Sequence, residues 1–175
     1  MAFKKLATMA FLTVLLLPVG AARAQDDYNS ATNLLNLFKL VCVDFFTDRE
    51  AAQTVIAQNG WPVDTSMTMN GTTAWTATYN NEIMTIGLEE DGTSCGVSSK
   101  LVTLTTTNKA FGESYAPQWQ ATALGDTTDG KGKIWTTTDR IILINDLIEK
   151  DQGIIVSIAK NQDPDLNANP ESSAP

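Results

Sequence analysis

The chain has 175 residues, with 43% apolar and 18% charged side chains, a balance that excludes wholesale disorder and a coiled coil. It contains 12 basic and 20 acidic residues and no histidine, for a net charge of −8. An acidic surface repels phosphate backbones and anionic headgroups, so nucleic acid is not expected as a partner. The missing imidazole removes the usual Ser and Cys triads and most zinc sites.

The N-terminus reads as an export signal over residues 1–24. MAFKK supplies a basic start with Lys4 and Lys5, Leu6 to Val19 is apolar, and Ala22-Arg23-Ala24 gives an A-x-A cleavage site, cut between Ala24 and Gln25. The apolar run is too short to span a bilayer comfortably, and no later segment is long or apolar enough, so no transmembrane segment is expected after signal removal. The leader carries three basic residues (Lys4, Lys5, Arg23) and no acidic one, so the remainder is at −11. The expected location is the periplasm or the extracellular medium. There, Cys42 and Cys95 read as one structural disulfide. Their separation of 53 residues corresponds to about 4 kcal/mol in the chain-entropy account. A redox pair would more often be C-x-x-C at a helix start, which this spacing is not.

Residues 25–160 read as a single α+β domain: two N-terminal helices packed on antiparallel β-meander sheets. Gln25 to Asn29 reads as a polar arm. From Ser30, the spacing of Leu34, Leu37, Phe38, Val41 and Phe45 predicts a helix packed along one face, with Cys42 on or near it. Thr47-Asp48-Arg49-Glu50 reads as a capping box with Thr47 as N-cap, after a corner near Phe46, and the second helix stops at Asn59-Gly60. From Asp64 the period becomes strand-like. SMTM, TTAWTATY, EIMTIGLE and TSCGVSS, joined at Asn70-Gly71, Asn80-Asn81 and Glu90-Asp91-Gly92, predict a four-stranded meander. Leu101 to Tyr115 is ambiguous between strand (LVTLTTT) and a short helix (TNKAFGESY) weakened by Gly112. Beyond Pro117, QWQATAL, KIWTTT, RIILIND and GIIVSIA read as strands around a GDTTDGKG loop. Residues 161–175 read as a disordered tail.

An internal duplication is suggested by W-T-x-T strings at Trp75 and Trp135. Trp61 and Trp119 lie 14 and 16 residues earlier, and Cys95 and Ile155 each lie 20 residues later. Each half would then be a helix plus four strands; chance agreement between two β-rich stretches competes with that.

No catalytic, metal or cofactor set stands out. A glycosidase needs two carboxylates across a cleft, and Asp64, Glu82, Glu89, Glu90, Asp91, Asp139, Asp146, Glu149 and Asp151 are available, yet turn positions and exposed faces explain most of them. Asp126–Gly130 and Asp163–Asn167 space oxygen ligands closely, but neither fits a calcium loop. Gly130–Lys133 lacks the Ser/Thr and the strand-to-helix setting of a phosphate loop. The threonine runs fit sheet propensity. Trp61, Trp75, Trp119 and Trp135 read as core rather than as a glycan platform, since Trp75, Ala77 and Tyr79 share one strand face. The resulting expectation is an exported binding or inhibitor-type module for a basic exported protein, contacted through Glu89, Glu90 and Asp91. A carboxylate-based glycan hydrolase and a purely structural envelope protein are the alternatives. Oligomeric state is not legible.

Overall fold

The structure, a computed structural model, describes residues 19–44, 48–66, 68, 71–147 and 153–161. The architecture is α+β, with helices packed on one face of an antiparallel sheet. Helix α1 spans Val19–Phe38 and continues into a π-helical turn, Lys39–Val43; α2 spans Arg49–Gln58. Strands β1 (Thr72–Tyr79), β2 (Glu82–Glu89) and β3 (Ser94–Ser99) follow. Helix α3 (Leu104–Ala110), a second π-helical turn (Phe111–Tyr115) and α4 (Ala116–Trp119) lead to β4 (Thr122–Asp126), β5 (Gly132–Thr136), β6 (Arg140–Asp146) and β7 (Ile154–Lys160). The described strands form one sheet in the order β1-β2-β3-β7-β6-β5-β4.

Amphipathic spacing explains the helix layer. Leu34, Leu37, Phe38, Val41 and Cys42 of the first helix and its π turn are fully buried, and the alternate positions Met84, Ile86 and Leu88 of β2 meet them from the sheet. Trp75 is 7% exposed, and Trp61, Trp119 and Trp135 are partly buried against the same core. The Cys42–Cys95 disulfide joins the first helical segment to β3. Phe45 and Phe46 lie outside the described residues, as do residues 1–18 of the expected leader and 162–175 of the expected tail.

Several local expectations are refined or corrected. Gln25–Asn29 is helical instead of an arm, and α1 runs without a break through the expected cleavage site. The Gln25 side-chain amide donates to Asn29 Oδ1 at 3.1 Å, and the Tyr28 hydroxyl donates to Glu113 Oε2 at 3.2 Å, which ties this polar stretch to the π-helical turn Phe111–Tyr115. The N-cap of α2 is Asp48, whose Oδ1 accepts from Ala51 N–H at 2.9 Å; aspartate caps as well as threonine, and the register moves by one. Thr47 lies outside the described residues.

Among the described residues the first meander has three strands, and the expected SMTM strand lies partly outside them. Thr68 N–H donates back to the Asp64 carbonyl at 3.1 Å, a helical turn, and the chain meets β1 through a single bridge between Val63 and Trp75. Met67, Met69 and Asn70 are outside the described residues, and with Asn70 so is the expected Asn70-Gly71 turn. The Asn80-Asn81 turn is present, with both residues at positive φ. Finally, most of the ambiguous segment is helical: the Thr103 side chain caps α3 by accepting from Thr106 N–H. Gln118 and Trp119 belong to α4, with Pro117 in its first turn, where its missing N–H costs nothing. Gly112 lies in the π turn that follows α3, where a Cβ would come within 3.3 Å of the Trp135 ring.

The layout of the two halves is related. Moving outward from the central β3·β7 pair, β2 and β1 on one side answer β6 and β5 on the other. The bridge of Val63 to Trp75 and the pairing of Ala123 with Trp135 share a 60-residue offset. The equivalence of Cys95 with Ile155 does not hold, since Cys95 sits opposite Ile158 on the helix side while Ile155 sits opposite Ser98 on the other face.

Candidate partner-binding site

The site begins at the C-terminal end of β2. Glu89 closes the strand, and Gly92, at φ +69, lets the chain reverse into β3 with its N–H on the Glu89 carbonyl at 3.1 Å. Thr93 organises the acids: its hydroxyl oxygen lies 2.5 Å from Glu89 Oε2 and 2.6 Å from Asp91 Oδ1, so one proton serves two carboxylates. Thr93 N–H also donates to Asp91 Oδ1, at 2.9 Å. The Thr93 hydroxyl and then its amide hold Asp91 below its ordinary value of 3.8, keeping it ionised. Arg49 of α2 reaches over to donate from Nη1 to the Glu89 carbonyl at 3.0 Å, and Glu90 N–H bonds the Gly71 carbonyl at 2.6 Å. The turn is therefore fixed to the helix layer on one side and to the start of β1 on the other.

Glu89, Glu90 and Asp91, singled out from sequence, are thus brought together, around a shallow cavity of about 380 Å³ that Gly71 completes. Glu90 and Asp91 are exposed, and Glu89 is half-buried. Nearby cations are Arg49 and Lys160, the latter at the end of β7.

Sequence reading missed what adjoins this turn. The sheet face away from the helices carries small side chains in the first half: Thr85 and Gly87 on β2, and Ser94, Gly96 and Ser98 on β3. They floor a cavity of about 220 Å³ that reaches Glu89 at one end and Leu147 at the other. It leads into a larger cavity of about 670 Å³, whose rim includes Ile83, Leu101 and Lys100. The signal was present as small residues at every second position of two neighbouring strands, which period-two geometry places on one face.

The other acids are held elsewhere. Asp64 accepts from Ser66 N–H at 3.0 Å, the Ser66 hydroxyl at 2.6 Å and the Thr76 hydroxyl at 3.2 Å. Glu82 accepts from the Ser30 hydroxyl at 2.7 Å, towards the helix layer. Both line the cavity of about 670 Å³; both oxygens of Asp64 are engaged, whereas Glu82 Oε2 is buried without a hydrogen-bond partner. Asp139 pairs with Arg140 at 3.5 Å, and Asp146 is exposed at the end of β6. Asp126 pairs with Lys133 at 3.0 Å, and Asp129 accepts from the Thr127 hydroxyl at 2.6 Å and Lys131 N–H at 3.0 Å, so this stretch is a turn with its oxygens in use. Glu149, Asp151, Asp163, Asp165 and Asn167 lie outside the described residues. Among the described residues there is no group of three or more acidic or cysteine side chains placed to hold a metal ion. No helix among them is long and apolar enough to cross a membrane.

No family model, curated protein or solved structure matches this chain.

Proposed function

We propose that this is a small exported protein that acts by binding, without a catalytic centre of its own, and that its partner is a basic exported protein engaged through Glu89, Glu90 and Asp91. The observation that carries this reading is the turn itself: three neighbouring carboxylates, two of them exposed, with those of Glu89 and Asp91 tied together through Thr93 and the turn's backbone anchored by Arg49. Preset charge of this kind speeds encounter and fixes orientation with a cationic partner. The basic-apolar-small leader and the Cys42–Cys95 bridge support an oxidising, exported setting such as the periplasm. An inhibitor of a cationic cell-wall hydrolase is the kind of protein this charge, size and setting would suit.

The test is affinity capture from envelope extract on the oxidised protein, beside the E89Q/E90Q/D91N variant. One basic protein retained at low salt, released as salt rises and lost on the variant is the expected result. Equal retention by both proteins, or no specific retention, overturns the reading.

A further inference from the structure

Resting on that reading, we infer that the groove on the open sheet face receives a segment of the partner that is cationic at one end and apolar at the other. The groove follows β2 and β3 from the acidic turn to the opposite end of the sheet. Eight residues of β2 give it a length of about 26 Å, enough for an extended segment of similar size. Gly96 is itself buried, with Ile155 Cδ1 and Ser157 Cβ 3.3 Å from where its Cβ would stand, so the floor is formed by Gly87, Ile155 and the serine and threonine side chains around it.

The two ends differ in chemistry. Glu89, Glu90 and Asp91 close one end, whereas Ile83 (69% exposed) and Leu101 (53% exposed) stand at the other beside Leu147. Lys100 also lies at the apolar end. Asp64 and Glu82 line the same cavity beside it, so the direction of the segment is set by the exposed Ile83 and Leu101 at this end, which the acidic turn lacks. Exposed large apolar side chains at the mouth of a cavity are the usual contribution of a binding surface to affinity.

The probes are two blocked octapeptides, Lys-Lys-Ser-Ser-Ser-Leu-Ser-Leu and the same peptide with both Leu replaced by Ser. They are titrated into the isotopically labelled, oxidised full chain and followed by amide shifts. The leucine peptide is expected to bind at least tenfold tighter and to shift Gly87, Gly96 and Leu101 as well as the acidic turn. The S98F/S157F variant, which fills the floor without changing charge, is expected to remove that advantage and leave the serine peptide unaffected. Equal binding of the two peptides, with shifts confined to the turn, overturns the groove while leaving the acidic turn as the contact. Binding of neither overturns the groove too, and a failed capture experiment would then place the fault in the charge reading itself. Should the filled variant not fold, the shift map of the unaltered protein decides the question alone.

Discussion

The two halves of the sheet reach a similar layout with different chemistry. In the first, β1-β2-β3 is held to the helices by Cys42–Cys95, and its opposite face is floored by glycine, serine and threonine. In the second, Phe111 packs against Trp135 and Trp119 with ring centroids 5.0 and 5.5 Å apart, and the opposite face carries half-buried Ile134, Ile141 and Leu143. A covalent staple thus occurs beside small residues, and an aromatic cluster beside large ones. Stability on the helix side and relief on the open side are set by separate positions, because alternate residues of one strand serve opposite faces. The first half is consequently the one with a groove.

The largest expected effect tests the aromatic side of this contrast. Phe111 is fully buried, so Phe111→Ala should cost about 3–5 kcal/mol in urea unfolding, with loss of rings packed on both sides. A cost near zero would mean that the cluster does not hold the second half. Next comes the staple: C42A/C95A, compared with the oxidised protein, should lose about 2–4 kcal/mol, as expected for a bridge that closes a long loop. A loss confined to the first half, seen as faster amide exchange in β1 to β3 with β5 and β6 unchanged, would sharpen the contrast; uniform loosening would break it.

The smallest effect concerns a feature both halves share. Asp91 and Asp129 are each held below the ordinary value of 3.8 chiefly by a threonine hydroxyl, from Thr93 and Thr127. A depressed folded-state pKa contributes stability above the unfolded value and loses it as pH falls through the folded value. D91N and D129N should therefore each be slightly less stable than the parent at pH 5, and their stability curves should merge with it in stronger acid. Opposite signs for the two variants in thermal melts across pH would contradict the shared origin.

Much of this was legible in the sequence, for physical reasons. The helix face from Leu34 to Val41 is written in its spacing, the β1–β2 turn in Asn80-Asn81, and the β2–β3 turn in Gly92. The pairing of Cys42 with Cys95 needed only the even count and the expectation of export. What sequence reading missed depended on tertiary contacts. Thr68 looks like strand but bonds back to Asp64, and Leu104–Ala110 has β-favouring threonines overridden by the Thr103 cap and packing against α1. The clearance that Gly112 leaves for the Trp135 ring is likewise a tertiary contact. The acids at Glu89, Glu90 and Asp91 were readable as a cluster, whereas the groove beside them appears only when β2, β3 and β7 lie side by side.

The most direct test of the central claim is the association rate of the captured basic protein with the oxidised chain, measured from about 20 to 200 mM salt, a range over which screening strengthens severalfold. The account predicts a rate that falls steeply with salt for the parent and is slow and nearly flat for E89Q/E90Q/D91N, with dissociation much less affected. The same rate and the same salt slope for both proteins would contradict it.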